Sequence, residues 1–276
     1  MSRSLGASHN SAGDGKLLAR TLSAGVLAVI ALAGAWFGGW SATLIVSALA
    51  VVIFWEWSVM TESHNRLAVV YVVPAVVAFA LFTLDFGAVS VAALAATSVI
   101  AAARGGFPWR SAGVVFVGVF GLGLLAIRLS PQHSMTAILF LFAIVWATDV
   151  AAYFGGRAIG GPKLWPRVSP NKTWAGAVAG LVAGAAAGGL VAVAGGYGFS
   201  PALVLGAVAL SAAAQTGDLF ESAVKRRFGT KDSSSLVPGH GGLMDRIDGL
   251  TFAVGAAAVI GWLRSPGSPA TGLLLW

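Results

Sequence analysis

The run MTAILFLFAIVWATDVAAYFG, at positions 135–155, decides what kind of molecule this chain forms. Asp149 is its only charged residue, and a helix that crosses a membrane needs about 20 predominantly apolar residues. We therefore interpret the run as a transmembrane helix. Comparable runs along the chain predict about nine such helices, near positions 21–39, 41–60, 67–84, 86–103, 111–128, 135–155, 174–198, 202–220 and 249–263.

The composition of the chain predicts an all-α, polytopic integral membrane protein. Of its 276 residues, 57% are hydrophobic and only 10% are charged, whereas soluble domains have about 25% charged residues. The 37 glycines fit close packing of helices in lipid. The chain has no cysteine, which excludes disulfides, thiolate metal sites and a cysteine nucleophile. Its net charge of +7 is explained by lysines and arginines at an anionic leaflet, so we expect no nucleic acid among its partners.

The positions of the lysines and arginines predict the orientation of the chain in the membrane. With nine spans and a cytoplasmic N-terminus, all 17 except Arg128 and Arg264 fall on the cytoplasmic side. We expect residues 1–20 to form a flexible cytoplasmic tail and residues 21–276 a single membrane domain, with the candidate catalytic region at 149–248. The basic residues before the first run leave a cleaved signal peptide open, although an uncleaved helix is the simpler interpretation. The compact, alanine-rich chain favours a bacterial plasma (inner) membrane.

In this topology, five acidic residues converge at one depth of the membrane. Glu56, Asp149 and Asp218 lie near the inner ends of helices that run inward, and Asp245 and Asp248 begin the last helix from the same side. Ionisable groups in a bilayer are costly unless they are paired or hydrated, so their clustering predicts a functional site. Glu56 is flanked by two tryptophans, and we interpret it in the first place as a helix-end group at the level of the lipid headgroups.

The segment from Gly217 to Asp248 concentrates the polar chemistry of the chain. If the eighth helix continues past the membrane, Asp218, Ser222 and Lys225 share one of its faces. Mg²⁺ typically binds one or two carboxylates together with substrate phosphates, and Asp218 and Asp245 can supply such a pair. Four basic side chains of the segment can neutralise a polyphosphate: Lys225, Arg226, Lys231 and Arg246. The segment therefore predicts a site for a metal ion and a phosphate-rich substrate.

Glycines and helix ends add two candidate anion sites. Glycines beside His240 allow backbone amides to approach an anion, and the N-terminus of the last helix points to the same place. The stretch from Ser169 to Thr173, which includes Lys172, offers hydroxyls, an ammonium group and free helical amides. Each also has a plain interpretation, namely a turn around His240 and an ordinary helix N-cap at Ser169 or Thr173.

The spacing of these residues resembles the signature of the CDP-diacylglycerol synthases, also called phosphatidate cytidylyltransferases. The matching positions are Ser222, Lys225-Arg226, Lys231-Asp232, His240-Gly241-Gly242 and Asp245-Arg246-Ile247-Asp248. The residues from Gly217 onward and the upstream stretch 149–174 are also similar to the family. The resemblance implies Mg²⁺-dependent transfer of a cytidylyl group from CTP to phosphatidic acid, which gives CDP-diacylglycerol and pyrophosphate for phospholipid biosynthesis.

The resemblance also implies roles for individual residues. The expected catalytic residues are Asp218, Lys225, Asp245 and Asp248, and the expected Mg²⁺ ligands are Asp218, Asp245 and Asp149. A second cation is left open. The expected substrate-binding residues are Ser222, Arg226, Lys231, Asp232, His240, Gly241, Gly242, Arg246, Ser169, Lys172 and Thr173. We expect CTP, phosphatidic acid and membrane lipid as partners, and we leave a homodimer open.

Two other functions fit parts of the pattern. A CTP-dependent lipid or polyprenol kinase would share a cytoplasmic cationic site, but the spacing from His240 to Asp248 favours the cytidylyltransferase. An ion-coupled transporter also has acids within the membrane. Transporter sites lie near the bilayer midplane, however, and these acids gather at one face.

Overall fold

The computed structural model describes residues 25–26, 28–61, 70–104, 108–198, 200–237 and 241–276. Residues 28–36 are helical. The helices that follow are α1 (Gly39–Thr61), α2 (Val73–Thr83), α3 (Gly87–Ala103), α4 (Trp109–Arg128), α5 (Ser134–Ile159), α6 (Trp174–Ala194), α7 (Pro201–Arg227), α8 (Met244–Arg264) and α9 (Pro269–Leu274). The predicted tail at 1–20 lies outside the described residues.

Within these ranges, six helices are long and apolar enough to cross a membrane, namely α1, α4, α5, α6, α7 and α8. Helices α2 and α3 are apolar but shorter. The chain is therefore a helical membrane protein with several spans, in agreement with its composition. The count of nine spans and the cytoplasmic N-terminus stay predictions.

Small residues allow α5 and α6 to pack closely against each other. The buried positions of α6 are Gly176, Gly180, Gly184, Gly188 and Ala192. A β-carbon at Gly176 would lie 2.6 Å from the carbonyl oxygen of Ala152 in α5, so a larger residue would force the helices apart. In the same layer, the hydroxyls of Thr148 and Ser211 lie 2.7 Å apart and join α5 to α7. Close helix packing in lipid thus explains these glycines, as the composition predicts.

Aromatic rings join α1, α4 and α7 beside the acidic residues. The ring of Trp57 stacks on Phe116 with 5.5 Å between the centroids, and Phe116 stacks on Phe220 at 6.5 Å. Trp57 also donates its indole N–H to a main-chain carbonyl of α4 at 2.7 Å. Because Trp57 follows Glu56 and Phe220 precedes Glu221, this packing places both acidic side chains at fixed heights in the bundle.

One polar stretch departs from the helical architecture. Residues Lys163–Trp165 (β1) and Ser169–Thr173 (β2) form an antiparallel hairpin between α5 and α6, with Lys163 opposite Thr173. Prolines at 162, 166 and 170 lack the amide hydrogen that a helix interior requires, which disfavours a helix here. The hairpin places Lys172 beside α7.

Candidate active site

One cavity, of about 1090 Å³, runs along α5 and has a charged end and an apolar end. It contacts α5 from Ile138 to Arg157, a separation of about 28 Å along a helix axis. Four of the five acids that the sequence places at one depth line its charged end, namely Asp149, Asp218, Asp245 and Asp248. Helix α7 continues to Arg227, as the shared face of its polar residues requires.

Lys225 joins α7 to α8 through two ion pairs. Its ammonium nitrogen lies 2.7 Å from Oδ1 of Asp245 and 2.8 Å from Oε2 of Glu221. The lysine side chain is 13% exposed, and the two acids are 6% and 2% exposed. Removing one partner of a buried ion pair leaves an uncompensated charge, so these three residues depend on one another for their positions.

Glu221 lies in the site although the sequence motif does not include it. Its Oε1 is buried and has no hydrogen-bond partner within the described part of the chain. Glu221 also lines the cavity, and its carboxyl lies close to those of Asp245 and Asp248. Its position three residues after Asp218 and four before Lys225 is the local signal that could have identified it.

Lys172 and Asp218 form a second ion pair, which joins β2 to α7. Their charged atoms are 2.8 Å apart, and the side chains are 32% and 24% exposed, in contrast to the buried pairs above. Asp149 of α5 lies within electrostatic reach of this pair and of Arg246 in α8. Both carboxylates that the sequence pairs as metal ligands, Asp218 and Asp245, thus face lysines.

Backbone amides of the loop before α8 donate hydrogen bonds to the carboxylate of Asp245. Its Oδ2 accepts hydrogen bonds from the amides of Gly242 at 2.8 Å and Ser233 at 3.1 Å. Gly241 has a φ of +83°, and a β-carbon there would lie 2.6 Å from the same oxygen. Only glycine adopts this backbone conformation readily, which explains its place in the motif. His240 lies outside the described residues, so its role stays a prediction.

Glu56 is fully buried, and its interpretation as a headgroup-level helix end is wrong. Its carboxylate accepts hydrogen bonds from the amides of Leu243 at 2.9 Å and Met244 at 2.6 Å. It also accepts hydrogen bonds from the hydroxyls of Ser233 at 3.3 Å and Ser234 at 2.6 Å. The first amides of a helix have no partner within it. The chain's own carboxylate therefore binds two of the amides at the helix end that the sequence offers to a substrate anion.

The other predicted residues fall into two groups. Ser222, Asp232, Arg246, Lys172 and Thr173 line the charged end. The hydroxyl of Thr173 accepts a hydrogen bond from the amide of Gly176 at 3.1 Å, so Thr173 is an N-cap of α6, as its plain interpretation predicts.

Five predicted residues are described but lie outside the lining of the cavity, namely Ser169, Arg226, Lys231, Gly241 and Gly242. Nε of Arg226 donates to the carbonyl oxygen of Val168 at 3.4 Å, which ties the hairpin to α7. Their predicted contacts with substrate stay predictions.

The apolar end of the cavity is enclosed by the helical residues before α1 and by α1, α4 and α5. Its lining includes Ala31, Val46, Leu124, Ile138 and Phe142. Arg128 also lines this part of the cavity, and its guanidinium donates to the carbonyl oxygens of Ala35 at 2.6 Å and Trp36 at 2.9 Å. These carbonyls belong to the last turn of a helix, where intrahelical donors are missing. These two hydrogen bonds of Arg128 hold that helix against α4.

The charged end fits a hard divalent cation. Among the described residues, no group of three or more acids or histidines is arranged to hold a metal ion by itself. Mg²⁺ does not need such a group, since it usually takes one or two carboxylates and completes its coordination with phosphates and water. Asp218 and Asp245 line the cavity and supply carboxylate oxygens of this kind.

The fold and the cavity together define a helical membrane protein with one cavity in its bundle. Carboxylates and basic side chains line one end of this cavity, and apolar side chains line the other. Residues 18–263 match the cytidylyltransferase family. A phosphatidate cytidylyltransferase of Brucella suis is 42% identical, over 88% of this chain and 92% of the relative. Proteins of the same name from Haemophilus influenzae and Bacillus subtilis are 42% and 36% identical, over 49% and 51% of this chain and 50% and 52% of their own lengths.

The chain therefore belongs to the cytidylyltransferase family, among the phosphatidate cytidylyltransferases. This confirms the resemblance that the spacing from Ser222 to Asp248 indicates.

Proposed function

We propose that this protein transfers a cytidylyl group from CTP to phosphatidic acid and releases CDP-diacylglycerol and pyrophosphate. The observation that carries the proposal is the cavity, which combines a charged end and an apolar end in one space. Phosphatidic acid has the same division, with a phosphate at one end and acyl chains at the other. The name of the Brucella suis relative, phosphatidate cytidylyltransferase, supports the same reaction.

In this reaction, a phosphate oxygen of phosphatidic acid attacks the α-phosphorus of CTP. A P–O bond forms between the two phosphates, the bond from the α-phosphorus to the bridging oxygen breaks, and pyrophosphate leaves with the electron pair. The phosphate monoester is already ionised near neutral pH. The step therefore needs positioning and charge neutralisation more than a general base.

The lysines of the charged end suit this task in different ways. An ammonium group has three N–H donors, and that of Lys225 uses two of them on Asp245 and Glu221. The third can be given to a phosphate oxygen while the two acids hold the nitrogen in place. Lys172 is more exposed, so its ammonium can turn from Asp218 to a bound nucleotide with less loss of solvation.

We propose Mg²⁺ as the cofactor, held by Asp218 and Asp245, with Asp149, Glu221 and Asp248 as further oxygen donors around it. When bound, Mg²⁺ supplies positive charge to the CTP phosphates and to the leaving pyrophosphate. A titration of activity with Mg²⁺, with and without other added metal cations, tests whether a second cation is required.

We further propose nine spans, with the N-terminus and the charged end on the cytoplasmic side of a bacterial plasma membrane, because this places all but two of the basic residues inside. The natural chain has no cysteine, so single cysteines can be labelled without background. A membrane-impermeant maleimide added to intact cells should label Gln132→Cys but not Ser235→Cys. The reverse result would invert the topology. Light scattering in detergent distinguishes a monomer from a homodimer.

The reaction is tested with purified protein in detergent, phosphatidic acid, Mg²⁺ and CTP labelled at either the α- or the γ-phosphate. A cytidylyltransferase moves the α-label into lipid and the γ-label into pyrophosphate. A CTP-dependent lipid kinase would instead move the γ-label into lipid. No reaction of CTP at all would contradict both enzymes and favour a transporter.

A further inference from the structure

Glu56 lies in the N-terminal half of the chain, yet the four hydrogen-bond donors that it has among the described residues come from two stretches of the catalytic segment. Oε1 accepts from the amide of Leu243 and the hydroxyl of Ser234, and Oε2 accepts from the amide of Met244 and the hydroxyl of Ser233. Each oxygen therefore has one amide donor and one hydroxyl donor. The residue is 0% exposed, so solvent does not replace a donor that is lost.

The same two stretches also hold Asp245. Ser233 donates its amide to Asp245 and its hydroxyl to Glu56. Gly242 donates its amide to Asp245, and the next residue, Leu243, donates its amide to Glu56. Glu56 and Asp245 thus bind neighbouring groups on the same backbone, and a shift of the loop away from Glu56 would move the donors of Asp245 with it.

Gly242 shows how closely this packing is specified. A β-carbon at Gly242 would lie 2.7 Å from Oε1 of Glu56 and closer still to the hydroxyl of Ser233. The second glycine of the motif is therefore required by its contacts with both Ser233 and Glu56, and Gly241 is required by its positive φ and its contact with Asp245.

We propose that Glu56 is a positioning residue for the catalytic segment, which holds Ser233, Ser234 and the N-terminus of α8 so that Asp245 is directed at Lys225. The proposal rests on the proposed function, because it treats the Asp245–Lys225 pair as part of the reacting site. The proposal assigns a role in the reaction to α1, which lies far from the motif in sequence. Glu56 acts by holding the catalytic segment in position and does not itself contact a substrate.

Glu56→Gln is the most direct test. Both carboxylate oxygens accept from an amide, so either orientation of the glutamine side chain places its NH₂ group against a main-chain N–H. Displacement of a reacting group by about 1 Å can cost about 100-fold in rate. We expect kcat to fall by about 10- to 100-fold, with the KM values for CTP and phosphatidic acid within about 3-fold of wild type. Glu56→Asp, which retains two acceptor oxygens, should recover part of the lost kcat.

The control is Thr148→Val, which removes a buried hydrogen bond between the hydroxyls of Thr148 and Ser211, at a residue outside the lining of the cavity. It should lower thermal stability and leave kcat per folded molecule unchanged. Hydrogen–deuterium exchange provides a readout that does not depend on activity. In Glu56→Gln, at least one of the amides of Leu243 and Met244 should exchange at least about 10-fold faster than in wild type, since the NH₂ group of the glutamine replaces its acceptor.

A Glu56→Gln protein with wild-type kcat, or with a loss of kcat no greater than that of Thr148→Val at equal stability, would overturn the proposal. If Glu56→Gln does not fold, Ser234→Ala removes only one donor, and the proposal then requires a smaller fall in kcat with unchanged KM values. Unchanged kcat in Ser234→Ala together with unchanged exchange at Leu243 would also overturn it. If the wild-type protein does not synthesise CDP-diacylglycerol, the proposed function fails. The exchange measurement then still tests whether Glu56 holds Leu243 and Met244 in position.

Discussion

The two ends of the cavity are held in place by different forces. At the charged end, Lys225 and Asp245 are fixed by ion pairs of 2.7 and 2.8 Å and by loop amides. At the apolar end, apart from Arg128 and its hydrogen bonds, the lining is mainly aliphatic and aromatic, with side chains such as Val46 and Phe142 that offer a bound lipid no hydrogen bond. Directional contacts fix the positions of reacting groups, whereas apolar walls define a volume. Changes at the charged end should therefore alter the rate with every lipid, and changes at the apolar end should alter which lipid is used.

Asp245→Asn should have the largest effect, because it removes one charge from a buried pair and a predicted metal ligand together. We expect kcat to fall by about 1,000-fold or more. The protein should still insert and fold, but at a lower unfolding temperature in detergent, because Lys225 loses one of its two buried partners. Asp85→Asn is the matched control. Asp85 is exposed and has a φ of +70°, a backbone conformation that asparagine also tolerates. The activity of the Asp85→Asn variant should therefore equal that of wild type. Wild-type turnover by Asp245→Asn would remove this residue from the site.

Lys172→Gln should have a smaller effect than changes at Lys225, because its pair with Asp218 is partly exposed and screened by solvent. We expect a loss of about 10-fold in kcat/KM for CTP and little change in KM for the lipid. Arg167→Gln changes a basic residue of the same hairpin that does not line the cavity, and it should be close to wild type. An equal loss in both variants would show that the hairpin acts only through its general charge.

The helical, multi-span character of the chain and its polar segment could be predicted from the sequence, because hydropathy and charge spacing are local properties. Glu56 could not be placed, since its donor Leu243 is 187 residues away in the chain and no local pattern links them. For the same reason, the N-terminus of α8 was predicted to be open to a substrate anion, whereas Glu56 binds two of its amides. Glu221 is the intermediate case, because its spacing from Lys225 is visible in the sequence but its burial is not.

Val46→Phe should have the smallest and most selective effect. Val46 is 7% exposed and lines the apolar end, so a larger side chain there reduces the space for an acyl chain. We expect KM for dioleoyl phosphatidic acid to rise by about 5-fold, while KM for the dihexanoyl form stays unchanged. Val51→Phe, on the exposed side of α1, is the control and should not distinguish the two lipids. Equal effects on both lipids in Val46→Phe would show that the acyl chains lie elsewhere.

The most direct test of the cavity as the site of transfer is photo-crosslinking with a phosphatidic acid that carries a diazirine at the end of one acyl chain. With the phosphate at the charged end, the label should attach to the apolar wall, at residues such as Val46, Ile138 and Phe142. Asp245→Asn should retain this pattern although it does not turn over. Attachment confined to the exposed face of α6, at Val178, Val182 and Leu190, would contradict the account.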